Sequence, residues 1–204
     1  MAKLVDIHTH NPREGVLSPS MAGIHPWDAE QDLPMPDFSA CDIVGETGLD
    51  YSTKVQKEAQ QELFLKHLDI AKSLDKPVVL HVVKSFEDVM LALRKQSIQG
   101  VVFHGFIGSK EQAIRATNLG YYLSFGDRSL RSPRTRDVAA SMPIENLFCE
   151  TDDRDDISIE EIYAEVAKLR GISPKELATQ IEKNYKRLLR NDDRLVRTHR
   201  AAFG

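Results

Sequence analysis

Asp6, His8 and His10 alternate near the start of the 204-residue chain, and in an extended backbone that spacing turns all three side chains to one side. Further along, Glu46 follows Ile43-Val44-Gly45, His81 follows Val78-Val79-Leu80, His104 follows Val101-Val102-Phe103, and Asp152 follows Leu147-Phe148-Cys149-Glu150-Thr151. Each ligand-type residue comes at the carboxyl end of its own short apolar run. One such histidine alone is more often a hydrogen-bonded core residue than a ligand, but the same placement on five runs points to a metal centre. The mixed imidazole and carboxylate chemistry leaves Zn, Mg, Mn, Ni and Co all open as its ions. Six ligands exceed the three that an open catalytic zinc uses, so two divalent metal ions sharing a carboxylate fit the count. Such a pair acidifies a bridging water and stabilises the attacking and leaving oxygens of an ester.

Elements of regular spacing must carry these residues. Short β-rich runs recur at Lys3 to Ile7, Met21 to Ile24, Asp42 to Gly45, Pro77 to Val83, Gly100 to Phe103, Tyr121 to Phe125 and Asn146 to Cys149. Several are apolar at consecutive positions, as strands buried on both faces are. Helical patterns fill the gaps: Gln56 to Leu74 carries Leu63, Phe64, His67, Leu68 and Ala71 on one broad stripe. Ser85 with Asp88, Ser109 with Gln112, Ser158 with Glu161 and Ser173 with Glu176 have capping-box spacing. Gly120 and Gly171 sit at expected helix stops, Pro174 at a helix start, and Lys175 to Leu189 reads as a closing amphipathic helix. The alternation predicts a parallel sheet covered by helices, with the ligand-type residues at the strand ends where a β/α barrel builds its active site.

Composition agrees with one globular domain spanning 1–204, with 190–204 a charged carboxy-terminal tail. The chain is 41% hydrophobic and 28% charged, and its net charge of -4 argues against a protein coated for nonspecific nucleic-acid binding. Local metals can still draw an anionic ligand. No apolar run is long enough to cross a bilayer, and the first residues lack a signal core, so the expectation is a cytoplasmic protein without membrane contact. Cys41 and Cys149 are too few for a disulfide framework and read as buried thiols.

The motifs together resemble the TatD family of metal-dependent hydrolases, of the amidohydrolase-like barrel group. The resemblance runs from about Leu4 to Leu189. It is carried by Asp6-Ile-His8-Thr-His10, Gly23-Ile-His25-Pro26, Gly45-Glu46-Thr-Gly48-Leu-Asp50, His81, His104-Gly-Phe106 with Gly108, Glu150-Thr-Asp152 and Asn184-Tyr-Lys-Arg-Leu. It implies that His8, His10 and Asp152 bind one metal, that His81 and His104 bind the other, and that Glu46 bridges them. It further implies that Asp152 accepts a proton from the nucleophilic water, that His25 lies near the substrate, and that the substrate is a phosphate ester, with DNA a candidate. Asp6 is expected to orient a ligating histidine, and Asp50 to organise its loop. Tyr51, Lys84, Phe106, Arg128, Arg131, Arg134 and Arg136 are candidates to line the mouth.

The chain departs from the family pattern in three places. An arginine usual after His81 is absent, leaving Lys84 as the substrate-binding candidate, a point charge where a bidentate fork is customary. Asp153-Arg154-Asp155-Asp156 is acidic where the family segment is small and proline-containing. Only Asn11 to Ala22 separate His10 from Gly23, too short for a helix, a strand and a second helix. The expectation is therefore a shortened, open or seven-stranded (β/α) barrel, with Gly15 to Ser18 as a remnant strand. Its exposed edge would invite a partner subunit and so a homo-oligomer. A PHP-like phosphoesterase, which also opens with Asp-x-His-x-His, and a non-catalytic metal-binding homologue are the competing readings.

Overall fold

In the computed structural model, which describes residues 2–98 and 100–189, the apolar runs form a six-stranded sheet whose neighbours are all parallel. The strands, β1 (Met21–Ala22), β2 (Ile43–Asp50), β3 (Val78–Val83), β4 (Val101–Phe103), β5 (Tyr122–Phe125) and β6 (Leu147–Cys149), lie in chain order. Sequential parallel order needs a crossover after each strand, and helices supply most of them. These are α1 (Lys57–Ser73), α2 (Phe86–Lys95), α3 (Lys110–Thr117), α4 (Asp127–Leu130), α5 (Pro133–Ser141), α6 (Ile159–Arg170) and α7 (Pro174–Leu188). The predicted tail from residue 190 lies outside the described residues.

Helix ends follow the sequence signals with one exception. Capping boxes form at Ser109, Ser158 and Ser173, and Gly171 closes α6 with φ 66. Ser85 makes no cap: its hydroxyl donates instead to the Leu49 carbonyl at 2.6 Å, tying the start of α2 to β2. In α1 the buried face presents Gln60, Phe64, His67, Leu68 and Ala71 to the sheet. Burying Phe64 and Leu68 is worth roughly 1.5–3 kcal/mol each. Asn184 of α7 donates its amide to the carbonyls of Ile144 and Leu147, both at 2.9 Å, which ties the last helix to β6. Cys41 and Cys149 are buried free thiols.

Residues 4–10 close the sheet. On one side Ile7 N–H donates to Cys149 O (3.2 Å) and His10 N–H to Asp152 O (2.9 Å). On the other, Asp6 N–H donates to Leu17 O and Leu17 N–H to Leu4 O, both at 2.9 Å. Parallel bridges mark the two seams, Thr9 with Asp152 and Val5 with Leu17. The chain then runs from Leu17 into β1, which pairs with β2. The expected remnant strand at Gly15 to Ser18 thus survives as a single bridge, and a shortened barrel of seven extended segments results. Where the missing unit was expected to leave an edge, Leu4 to His10 meets the remnant at Leu17 alone among the described residues, while its other side pairs beyond β6.

Candidate metal centre

Five segments bring the predicted ligands to one end of the sheet. Residues 4–10 supply His8, which is buried, and His10, which is 58% exposed at its side chain. His104 directly follows β4, and His81 lies inside β3. Glu46 is not at a strand end as its sequence suggested, because β2 continues to Asp50. The ladder between β2 and β3 shifts register between Val44 and Thr47, and this bulge leaves Glu46 out of the pairing. Gly48 (φ 139) then brings β2 so close to β3 that a Cβ there would lie 2.1 Å from the His81 carbonyl oxygen. Asp152 takes a left-handed turn, φ 58, just beyond β6.

Glu46 is the hub. Its Oε1 lies 2.6 Å from His104 Nε2, 2.9 Å from His81 Nδ1 and 3.3 Å from His25 Nε2. Its Oε2 lies 3.1 Å from His8 Nε2. Asp152 Oδ1 sits 3.5 Å from His8 Nε2 and 3.7 Å from His10 Nε2. All six predicted ligands and His25 therefore converge. Three overlapping sets, His8/His10/Glu46, His8/His104/Asp152 and His25/Glu46/His81, each place their donor atoms within 4.8 Å of one another.

The crowding is electrostatically unusual. Both ring nitrogens of His8, and Nδ1 of His104, are buried without a hydrogen-bond partner, although carboxylate oxygens lie near. A cation beside His8 Nε2, Glu46 and Asp152 would give that nitrogen the partner it lacks. Burial is the largest influence on Glu46 and pushes its pKa up. It is outweighed by the charge on His104 and by the close approach of the His104, His25 and His8 rings, which hold the carboxyl far below the usual range. Asp152 is lowered in the same way, burial being overcome chiefly by His8. For His8 burial opposes the charge most, as does His104, yet Asp152 and Glu46 prevail and lift it to about 9. His104 is also raised, burial being outweighed by Glu46 and Glu150.

Supporting residues extend beyond those the sequence singled out. Asp50, expected only to order its loop, does accept from Ser52 N–H and hydroxyl, but it also lies 3.0 Å from His81 Nε2 and accepts from the Trp27 indole at 2.8 Å. Its carboxyl is held down to about 2, burial being offset by Ser52, Trp27 and His81. Among the described residues Asp6 makes no hydrogen bond to a histidine. It accepts from Thr151 N–H (3.0 Å) and hydroxyl (2.6 Å), fixing the turn that presents Asp152, and burial lifts its pKa to about 6. Glu150 stands 3.4 Å from His104 Nδ1 and holds the Ser124 hydroxyl. His67 accepts from Ile24 N–H at 3.0 Å, securing the turn before His25. Glu150 carried no signal in the sequence beyond its place inside a quoted motif, and Trp27, directly after Pro26, carried none.

The expected cationic mouth divides. Arg131 pairs with Asp127, and Arg136 pairs with Glu165, so neither faces the centre freely. Arg128 lies 3.7 Å from Asp152 and 2.7 Å from Asp153. Arg154 takes up Asp127 and Asp156, so much of the acidic run after Asp152 is neutralised locally. A cavity of about 440 Å³ opens over the cluster, lined by His10, His25, Trp27, Glu46, His81 and Asp152 among others. Lys84 faces a neighbouring cavity with Tyr51, Phe106 and Arg134.

Comparisons with known proteins converge with this geometry. A family model described as TatD related DNase matches residues 13–190. The chain is 30% identical over 193 residues to the uncharacterized metal-dependent hydrolase YcfH of Escherichia coli (strain K12), covering 83% of this chain and 73% of that protein. It is 28% identical over 151 residues to the deoxyribonuclease TATDN3 of Homo sapiens, covering 66% and 54% respectively. Among solved structures, the TatD homolog YjjV of Escherichia coli K12 superposes with a TM-score of 0.74 at 25% identity, over 92% of this chain and 86% of that one.

Proposed function

The chain belongs to the TatD family of metal-dependent hydrolases, and we propose that its Glu46-centred cluster holds two divalent metal ions and hydrolyses a phosphate ester, with DNA a candidate substrate. His8, His10 and Asp152 would hold one ion, His81 and His104 the other, and Glu46 would lie between them. The observation that carries this reading is the convergence of the His8, His81 and His104 rings on the Glu46 carboxylate, at 3.1, 2.9 and 2.6 Å, with Asp152 3.5 Å from His8. Metals bound there supply Lewis acidity, making water nucleophilic near neutral pH and offsetting phosphate charge.

The protein's own groups supply the rest. Asp152 accepts the proton of the attacking water; its depressed pKa keeps it ionised for that purpose. A P–O bond to the water oxygen forms, the P–O bond to the leaving group breaks, and the proton passes to the departing oxygen. His25 accepts from Trp27 N–H through Nδ1 at 3.3 Å, which leaves the proton on Nε2, facing the centre. That tautomer makes His25 a donor to a phosphate oxygen and removes it from the ligand set. Asp50 and Glu150 orient His81 and His104 as outer carboxylates. The DNA candidate rests on the family description and on the deoxyribonuclease TATDN3. The family match disfavours a PHP-type enzyme.

The test is metal content together with hydrolysis of bis(4-nitrophenyl) phosphate, a phosphomonoester and DNA, comparing the native chain with Glu46→Gln and Asp152→Asn. Activity in the native protein, lost in both variants, is the expected result. Metal-replete native protein that cleaves none of the three, with equal metal bound by all proteins, would leave the non-catalytic reading standing and end this one.

A further inference from the structure

The chain's single tryptophan, Trp27, is 56% exposed in the wall of the metal cavity. An indole left so open gains little from burial, so its polar edge and its neighbours must hold it there. It sits in a short 3-10 turn, Pro26–Asp28, two residues after His25. Its ring meets those of His25 and His81 edge to face, with centroids 4.6 and 6.0 Å apart, and the His25 and His81 rings meet each other at 4.5 Å.

Both N–H groups of Trp27 are committed to the site. The main-chain N–H donates to His25 Nδ1 at 3.3 Å, and the indole N–H donates to Asp50 Oδ2 at 2.8 Å, the same oxygen that lies 3.0 Å from His81 Nε2. The other Asp50 oxygen, Oδ1, accepts the Ser52 N–H at 2.8 Å and the Ser52 hydroxyl at 2.5 Å. A carboxylate tied at one oxygen alone can still turn about its broad terminal torsion. The indole supplies the second tie, and it fixes the oxygen that faces His81. With His81 Nε2 donating to that acceptor, Nδ1 is the nitrogen left toward Glu46, 2.9 Å away. Among the described residues Trp27 makes no hydrogen bond or ring contact with His8, His10 or Asp152.

We propose that Trp27 is a positioning residue for one half of the metal centre: through the Asp50 carboxylate it holds the His81 ring in the orientation and tautomer that suit an ion shared with His104, and it leaves the ion of His8, His10 and Asp152 unaffected. The inference rests on the two-metal reading and adds that the two halves are supported separately. One short turn then serves both the ligand His81, through the indole, and the phosphate-facing His25, through the main chain.

The test is calorimetric titration of metal-free protein with Co²⁺, reading the two binding steps in the native chain, in Trp27→Phe, in Asp50→Asn and in the double variant. Phenylalanine keeps a ring at a position already open to water and removes the indole N–H, so the fold is retained. The expected result is that one step in Trp27→Phe weakens about three- to tenfold, less than the roughly 10- to 100-fold for an outer carboxylate itself, while the other step stays within about twofold. In the Asp50→Asn background the same substitution costs nothing further, because the route it acts through is already lost. Two unchanged affinities in Trp27→Phe, an equal loss in both steps, or losses that multiply in the double variant overturn the inference. The native titration judges the two-metal reading by itself. A single Co²⁺ step there ends that reading and this inference with it, whereas two native steps that Trp27→Phe leaves in place end this inference alone.

Discussion

Gly23→Ala tests whether close packing of two backbones positions the bridging carboxylate. A Cβ at residue 23 would lie 2.8 Å from Gly45 C, 2.9 Å from Glu46 O and 3.0 Å from Gly45 Cα. All three are backbone atoms, so no rotamer change relieves the contact, and the two chain segments must part by about 0.6 Å to reach ordinary contact distance. Overpacking of this kind costs about 1–3 kcal/mol. At roughly 2–4 °C per kcal/mol for a domain of this size, the melting temperature falls by about 2–12 °C. Residue 23 is two before His25, and the displaced peptide belongs to Glu46, so metal affinity falls as well, by roughly tenfold or more. Scanning calorimetry of metal-free protein and competition with a chelator measure the two effects independently. A melting temperature within about 1 °C of native would refute the packing argument. A lowered one with native metal affinity would refute the link from this contact to Glu46.

Replacing Asp50 with Asn preserves its shape but removes the charge beside His81 Nε2. The expected loss of metal affinity is roughly 10- to 100-fold, as for other outer carboxylates, and a chelator titration that matches native protein would sink that role. The His8 pKa, lifted to about 9 with burial opposing and the Asp152 and Glu46 carboxylates prevailing, sets the direction of a pH effect. Below that pH the metal-free ring carries a proton that a metal must displace. Metal uptake at about pH 8 accordingly releases protons, and affinity weakens as pH falls. Calorimetry in two buffers of different ionisation heat reads the release, and identical heats in both would contradict it. By the same shift His8 adds to the stability of the metal-free protein fully below about 6.5, a contribution lost as pH rises through about 9.

The cluster of ligand-type residues was legible because its signals are local. His8 and His10 alternate, and His81, His104 and Asp152 each lie in or just beyond an apolar run, so parallel strands bring them together. Glu46 was found by the same logic for a partly wrong reason, since β2 continues past it and a bulge, rather than the strand end, frees its side chain. Register shifts depend on the neighbouring strand and leave no mark in a single run. Asp6 looked like a partner for a histidine because it alternates with two of them, yet it reaches Thr151 across the seam. Arg136 looked free because Glu165, which takes it up, is brought to it by the fold, whereas the Asp127–Arg131 pair has i,i+4 spacing that the sequence already shows. The short stretch between His10 and Gly23 foretold the missing unit, though not which of an open or a seven-stranded form would result.

The pairing of Leu4 to His10 beyond β6 makes the seam a matter of chain order as well as shape. Thr9 and Thr151, whose hydroxyls meet at 2.9 Å, are 142 positions apart. With His8 and His10 on one side and Asp152 on the other, an ion held as proposed ties the opening of the chain to its final strand, like a clasp on a necklace. Ordering so long a loop is entropically expensive and belongs late in folding. In a growing chain His8 and His10 are made well before the others, and the proposed centre is incomplete until the turn that carries Asp152 emerges.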